Sequence, residues 1–259
     1  MAILVPLKTI KLKTQIKATL LLFTILTILS CSKDGEDTDN SNDLSSTLIK
    51  RITENRVGVA DFIFNFTYDG NKIVSYTETR DGELNYTTNY IYTNDLITLI
   101  QSDRFNNFKT IISYDDNGRV VEENNEFSSN NEFYSYSYSY EYLGNTVKQT
   151  DEETCTEITI SNNQVSSESY FDEANCTNLE GTLFYSYDEN PNAFSNIVGY
   201  SWHFSFNLNT NSEYIPAVNN VVDDGDFSYE YDYNENGYPR NVTVYDGDSM
   251  SETILIEYY

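Results

Sequence analysis

Hydrophobic and polar residues alternate with a period of two along most of the chain beyond residue 48. Four segments show this most clearly, each with a large apolar residue at every second position: Phe62–Tyr68, Tyr134–Tyr142, Tyr200–Leu208 and Tyr229–Tyr233. Such alternation places one face of a strand against a core and the other in water, as half-buried antiparallel strands require. No window of a dozen residues carries a helical stripe, so the pattern predicts an all-β domain.

Short polar turns separate an aromatic strand from an aliphatic strand, and this unit recurs. The turns begin at positions 68, 92, 114, 142, 160, 187 and 233, which lie 18 to 28 residues apart except for a last interval of 46. Their Asn, Asp and Gly residues tolerate left-handed backbone and cap turns. We expect an aliphatic strand after each turn, for example Ile73-Val74 after the first and Ile197-Val198 after the turn Tyr187–Asn190. The recurrence predicts antiparallel hairpin repeats. An irregular all-β domain with coincident turns is the alternative.

The motif Tyr-Asp-x-Asn-Gly before an aliphatic strand, as in Tyr114–Val121, resembles the YD repeats of the RHS family. The region from Asn190-Pro191 to Tyr238-Pro239, closing on residues 254–259, is similar to bacteroidete surface lipoproteins with such repeats. The resemblance covers residues 48–259. It implies antiparallel hairpin repeats that form one curved, twisted sheet or open barrel-like shell, and it implies no activity.

Composition narrows the classes of partner. The 259 residues include 41 acidic and 15 basic side chains, which gives a net charge of −26. Such a surface repels phosphate backbones and anionic lipid headgroups, so we expect no nucleic-acid partner. The 23 tyrosines and 14 phenylalanines are too many for a disordered acidic tail. We therefore expect a folded, strongly anionic domain.

The N-terminus has the pattern of a lipoprotein leader. A cationic segment ending at Lys17 precedes an uncharged run of 13 residues, 18–30, which is too short to span a bilayer but suits a signal peptide. The sequence Ile28-Leu29-Ser30-Cys31 resembles the lipobox of bacterial lipoproteins, in which the Cys thiol receives a lipid and the preceding bond is cut. We expect a signal peptide at 1–30 and lipidation of Cys31. An ordinary signal peptide followed by a chance cysteine is the alternative.

An acidic, flexible tether is expected over residues 31–47, between Cys31 and the β domain at 48–259. Its segment Lys33-Asp34-Gly35-Glu36-Asp37 resembles the export signal of bacteroidete surface lipoproteins. The resemblance implies a lipid anchor in the outer membrane with the domain facing the cell exterior. The alternative is a solvated linker without an export role.

Two further cysteines, Cys155 and Cys176, form an even pair in an exported protein. They lie at the two ends of a predicted hairpin. If its strands pair about Asn162-Asn163, position 155 faces Tyr170, and the following loop must fold back for a disulfide to form. We favour the disulfide; two free thiols are the alternative.

Catalytic chemistry is poorly supported. His203 is the only histidine, which excludes a metal site with two His ligands within one chain, and strand parity places it on a polar face. The segment Asp232–Gly237 matches the first half of an EF-hand loop, but Thr243 stands where that loop needs a bidentate Glu. The same residues suit a turn, which is the better explanation. We therefore assign no catalytic, cofactor-binding or metal-ligating residue and expect no cofactor.

Three functions from different classes remain. We favour a non-enzymatic binding or scaffold module for a glycan or an outer-membrane protein, because aromatic faces can stack on sugars. Its candidate ligand-contacting aromatics are Tyr136, Tyr138 and Trp202. The alternatives are a structural envelope component without a ligand and, third, a hydrolase of secreted polymers. Exposure of those rings favours binding, a cleft with converging carboxylates favours an enzyme, and neither feature is expected of a structural component.

Overall fold

The computed structural model describes residues 47–56, 58–104, 107–129, 132–200 and 218–259. Nearly all of them lie in antiparallel strands or in the turns between strands. None of these segments contains a helix long and apolar enough to cross a membrane. The strands are β1 (Ile49–Arg56), β2 (Phe62–Asp69), β3 (Lys72–Arg80), β4 (Glu83–Thr93), β5 (Leu96–Ser102), β6 (Phe108–Tyr114), β7 (Val120–Ser129), β8 (Glu132–Leu143), β9 (Thr146–Thr150), β10 (Cys155–Ser161), β11 (Gln164–Phe171), β12 (Leu179–Phe184), β13 (Ser186–Pro191), β14 (Asn219–Asp223), β15 (Phe227–Tyr233), β16 (Pro239–Asp246) and β17 (Ser249–Tyr258).

The sheet curls until its first strand meets its last. Consecutive strands pair antiparallel along most of the chain, and β1 pairs on one edge with β2 and on the other with β17. A seam interrupts this order at β12 and β13, which follow each other with one residue between them. Here β12 pairs with β11, whereas β13 pairs with β14. The prediction of an all-β, antiparallel hairpin fold is confirmed, and the sheet is nearly closed and barrel-like.

The turns use the predicted residues. Asn94 and Asp95 have φ angles of 49° and 67°, the left-handed pair that a two-residue hairpin requires. In the last repeat, Asn234 caps a longer turn through its side chain. Its Oδ1 accepts hydrogen bonds from the backbone N–H groups of Asn236, at 2.9 Å, and Tyr238, at 3.1 Å. The oxygen-rich segment at 232–237 therefore serves turn formation.

Large apolar side chains fill the inward face of the sheet. Phe64 on β2 is fully buried and lies opposite Ile52 on β1. Burial of one such side chain contributes roughly 1.5–3 kcal/mol, so the inward positions supply most of the stability of the fold. Other members of this core are Phe62, Phe66, Ile73, Ile97, Ile112, Val120, Val147, Ile158, Val165, Val242, Val244 and Ile254.

Some inward-facing tyrosines link neighbouring strands through their hydroxyl groups. Tyr114 donates a hydrogen bond of 2.7 Å to the carbonyl oxygen of Ile97, and Tyr187 donates one of 2.6 Å to that of Val165. A buried hydroxyl without a partner is costly. These bonds therefore let the ring pack in the core while its polar tip stays satisfied.

The expected turn at Tyr187–Asn190 and the expected strand at Ile197-Val198 are both wrong. Residues 187–190 lie within β13, where the Asp188 carboxylate accepts hydrogen bonds from the backbone N–H of Asn190 and the side chains of Asn220 and Tyr233. The bonds from Asn220 and Tyr233 tie the segment to β14 and β15. The following residues, Asn192–Tyr200, form a compact series of turns instead of a strand.

The segment Asn192–Tyr200 closes one end of the sheet, which we call the plugged end. Phe194 is buried, stacks on Tyr200 with 5.2 Å between ring centroids, and meets Phe66 edge-on. Gly199 has φ +76°, and a Cβ atom there would lie 2.7 Å from the carbonyl oxygen of Asp95. The close approach to the β4–β5 turn therefore requires glycine. Apolar side chains enter the core from this segment because the sheet leaves that end open.

The first described residue, Thr47, also lies at the plugged end. Its hydroxyl accepts a 2.8 Å hydrogen bond from the Asn196 side chain, which also donates to the Tyr238 hydroxyl at 2.7 Å. Because successive hairpins alternate between the two ends, the end of β7 at Ser129 and the start of β8 at Glu132 lie at the opposite end. The β8 strand spans 12 residues, or about 40 Å when fully extended.

A disulfide joins Cys155 and Cys176, with 5.2 Å between their Cα atoms. The predicted hairpin register is wrong by one residue, because a bulge between Thr159 and Ile160 places Cys155 opposite Phe171. The loop after β11 folds back through a 2.9 Å hydrogen bond from the Cys176 N–H to the carbonyl oxygen of Glu173. Cys155 is buried, so the bridge pins this loop over β10.

We expect protein isolated without reductant to resist alkylation at Cys155 and Cys176. The bridge closes a segment with a sequence separation of 21, so reduction should lower the free energy of unfolding by about 3 kcal/mol. Peptide mapping with and without reductant, followed by urea unfolding of both forms, measures these effects. Alkylation of both thiols in the unreduced protein would show that the bridge does not form.

Candidate functional site

The β7–β8 hairpin extends beyond its neighbours in the sheet. Its two strands pair in uninterrupted register from Glu122 opposite Ser139 to Ser129 opposite Glu132. On one side, the pairing of β6 with β7 stops at Lys109 opposite Glu126. On the other side, the pairing of β9 with β8 stops at Ser139. We call the part beyond these points, Phe127–Ser129 with Glu132–Tyr138, the hairpin tip.

Aromatic rings form a row along one face of the hairpin tip. Phe127 stacks on its cross-strand partner Tyr134 with 5.1 Å between centroids and meets Tyr136 edge-on at 6.3 Å. Tyr136 in turn meets Tyr138 edge-on at 5.6 Å. Tyr134 and Tyr136 remain 41% and 43% exposed, whereas Tyr138 packs against the core. The row therefore runs from the interior of the sheet into solvent, and its outer members are open to a ligand.

Carboxylates and hydroxyls surround the aromatic row. The Tyr134 hydroxyl donates a 2.7 Å hydrogen bond to Glu132, and Glu123 accepts from Asn125 at 3.0 Å and from Tyr140 at 3.2 Å. Burial, with smaller repulsion from Tyr138 and Glu123, raises the pKa of Tyr136 to about 12. The tyrosines are consequently neutral at physiological pH. The site offers ring faces and acceptor oxygens in a negative environment.

A second ionisable cluster lies inside the sheet. Arg56 donates hydrogen bonds to Glu54 at 3.0 Å and to Glu252 at 2.9 Å, and both carboxylates are buried. Burial, followed by repulsion from Glu252, raises the pKa of Glu54 to about 8, although Arg56 opposes the shift. Burial also raises the pKa of Glu252. One cation is thus shared by two enclosed carboxylates, Glu54 on β1 and Glu252 on β17, at the strand junction β17–β1.

The predicted site residues have different outcomes. Tyr136 and Tyr138 both belong to the aromatic row. Trp202, His203 and Cys31 lie outside the described residues, so those expectations stay predictions. Within the described part of the chain, no group of three or more His, Cys, Asp or Glu side chains is arranged to hold a metal ion.

Sequence reasoning missed Phe127 and the buried cluster at Glu54. Phe127 could have been found by reading Asn130-Asn131 as a two-residue turn, which pairs position 127 with 134. Strand parity does place Glu54 on the same face as Ile52, but parity alone does not show whether that end of the strand is enclosed or open to water. Only the closing pair β17–β1 encloses it.

Comparison with known proteins yields no family. No family model matches the chain, and no curated protein matches it. A porin-like protein from Bacteroides vulgatus is structurally similar, with a TM-score of 0.43, 16% identity, and coverage of 82% of this chain and 98% of that chain. A porin-like protein from Bacteroides uniformis has a TM-score of 0.37 and 11% identity, with the same coverage.

The stability of the protein should fall as pH rises from about 4.5 to about 8 because of Glu54. In this range the folded state keeps a proton on Glu54 that the unfolded chain has lost, so the free energy of unfolding decreases by at most about 1.4 kcal/mol per pH unit. The groups facing Glu54 are Glu252, Arg56 and Glu78. Glu54→Gln should flatten the dependence, as measured by urea unfolding between pH 5 and 9.

The matched control for this measurement is Glu122→Gln, which removes an exposed carboxylate from β7. It should leave the slope unchanged. If Glu54→Gln and wild type gave parallel curves over the whole range, the assignment of the proton to Glu54 would be refuted.

Proposed function

We propose that this chain is a non-enzymatic lipoprotein of the outer membrane, facing the cell exterior, that acts as a binding or scaffold module through the tip of its β7–β8 hairpin. The single observation that carries the binding role is the exposed aromatic row. Almost everywhere else on the inward faces the aromatic rings are buried or packed against the core. An envelope component without a ligand gives no reason for Tyr134 and Tyr136 to lie in water.

The lipobox-like sequence ending at Cys31 and the acidic segment after it support the anchoring. Lipid attachment through two or more acyl chains gives stable membrane association, whereas a single chain is marginal. Thr47, the first described residue, lies at the plugged end, so a tether that joins the domain there does not cover the hairpin tip at the other end. The negative charge of the domain keeps it clear of anionic headgroups.

The buried ionisable groups support a non-enzymatic role. The carboxylates with raised pKa, Glu54 and Glu252, are 1% and 8% exposed and share Arg56. General acid–base catalysis needs a carboxyl group within reach of a bound substrate. The hydrolase alternative would need a different set of residues.

Removal of the rings at the tip should weaken ligand binding without unfolding the protein. We expect Phe127→Ala/Tyr136→Ala to reduce binding about tenfold or more, because each lost ring contact costs roughly 0.5–1.5 kcal/mol. The probes are immobilised neutral and acidic polysaccharides and detergent-solubilised outer-membrane proteins from cells that lack this chain, measured by biolayer interferometry. Phe184→Ala is the matched control, since Phe184 is a 67% exposed ring on β12, far from β8 in the sheet.

The binding role would be lost if no probe bound the wild type, or if every bound probe tolerated the double variant as well as it tolerated Phe184→Ala. Thermal unfolding of all three proteins establishes that the folded fraction is equal.

Cys31→Ser should leave the leader uncleaved and the protein without lipid. We expect the variant to move from the detergent phase to the aqueous phase in detergent partitioning and to keep the mass of the leader. Ser32→Ala, next to the site, should be processed normally. If Cys31→Ser still partitioned as a lipid-modified protein, the anchor would be refuted. Protection of the wild type from protease added to intact cells would refute only the outward orientation.

A further inference from the structure

One edge of β8 has no partner strand over the hairpin tip. Among the described residues, β8 pairs with β9 only from Ser139 to Leu143, and β9 ends at Thr150 opposite Ser139. Residues Phe133–Ser137 pair with β7 on the other edge. Five consecutive residues of a regular strand therefore have one edge that no described strand pairs with, in a sheet that is otherwise almost closed.

The alternation of an antiparallel ladder identifies the free backbone groups. Leu143 and Thr146 flank the two-residue turn Gly144-Asn145, and the residues that flank such a turn form a hydrogen-bonded pair. Because hydrogen-bonded pairs recur at every second residue, the odd-numbered residues of β8 direct their N–H and C=O groups toward β9. Continued along the strand, this parity directs the groups of Phe133, Ser135 and Ser137 toward the unpaired edge. Even-numbered residues bond to β7. Three donors and three acceptors thus form a ready template for another strand.

The usual protections of an edge strand do not occur at Phe133–Ser137. The segment contains no proline or lysine, and the β7–β8 register shows no bulge that would twist the edge away. Its side chains alternate between tyrosines on the face of the aromatic row and Phe133, Ser135 and Ser137 on the opposite face. Native sheets usually blunt such an edge unless it is used.

We propose that the Phe133–Ser137 edge is a strand-addition site for an extended segment of a cationic partner protein. The inference rests on the proposed function, since it specifies how the hairpin tip binds. The added strand would lie beside β8 as a continuation of β9, beyond the point where β9 ends at Thr150. Main-chain hydrogen bonds would supply affinity, and the flanking rings of Tyr134 and Tyr136 would select the side chains of the guest.

Charge indicates the chemistry of the guest strand. The turn that follows β9 begins with Asp151-Glu152-Glu153, and both glutamates are exposed. Glu132 is exposed at the far end of the same edge. A guest strand between these groups meets carboxylates at both ends, which favours lysine or arginine. A second copy of this chain brings its own net charge of −26 and is repelled. A glycan would use the ring faces and leave the backbone groups unused.

The test selects peptides from a displayed library of nine-residue segments, in which β-branched residues alternate with randomised positions, against the mature full-length protein in detergent. Selected peptides should be rich in lysine or arginine. Ser135→Pro removes one edge donor that none of the described strands uses. We expect it to weaken binding at least tenfold, whereas Ser135→Ala, which keeps the N–H, should change binding less than twofold.

Amide hydrogen exchange on the wild type provides a second readout that needs no variant. A bound peptide should slow exchange at Phe133, Ser135 and Ser137, and it should leave Tyr134 and Tyr136 unchanged because their amides already bond to β7. Stacking on the rings cannot produce this alternation. The readout holds even if Ser135→Pro proves unstable in thermal unfolding.

Each other outcome has a defined meaning. Equal binding to wild type and Ser135→Pro, or no alternating protection, overturns strand addition. A polysaccharide that needs Tyr136 but leaves amide exchange unchanged overturns strand addition while the proposed binding role survives. Dimers in sedimentation that are lost in Ser135→Pro replace the cationic partner with a second copy. If no probe binds the wild type, or if every probe that binds it also binds the ring variants and the edge variants equally well, the binding role itself is removed.

Discussion

The antiparallel pairing of β1 with both β2 and β17 is the constraint on which the rest of the structure depends. Once the first and last strands meet, every inward position of the sheet faces other inward positions, and its side chain must be packed or paired. Phe64, Ile52 and Ile254 satisfy this requirement by apolar burial. Without the closing pair, these faces would lie in water and the repeat would have no core.

The same enclosure determines which polar partners the inward-facing tyrosines and glutamates need. A tyrosine ring fills space like phenylalanine, and its hydroxyl can reach a carbonyl oxygen of a neighbouring strand, as Tyr231 does at Val221 with a distance of 2.6 Å. A glutamate has no such freedom, because an ionised carboxylate in the interior needs a cation or a proton. Arg56 is the cation beside both Glu252 and Glu54. Glu54 also keeps a proton at neutral pH, because its pKa is raised. The chain has 41 acidic but only 15 basic residues, so few interior carboxylates can have a cation beside them.

The sequence predicts the elements well because each depends on local chemistry. The alternation of apolar and polar residues predicts strands. The segments 94–95 and 234–237 predict turns, because Asn, Asp and Gly adopt turn geometry more readily than other residues. The sequence predicts the local structure of Tyr187–Asn190 and Ile197-Val198 poorly, because contacts with residues distant in the chain determine the structure of both segments. Asp188 is held by Asn220 and Tyr233, which are more than 30 residues away. Ile197 is buried where the sheet leaves its end open. The bulge at Thr159/Ile160 likewise shifts a register that spacing alone would not reveal.

The candidate site shows why local pattern cannot separate core from function in a repeat of this kind. Tyr136 and Tyr140 stand on the same face of the same strand, and each is flanked by polar residues on both sides. Tyr140 is 7% exposed and Tyr136 is 43% exposed. The difference arises in the neighbouring strand, since β9 lies beside position 140 and has ended before position 136. Where a neighbour stops, the same alternating sequence changes from a packed layer into an aromatic face with a free backbone edge. The length of β9 relative to β8 therefore decides where this sheet offers a surface for binding.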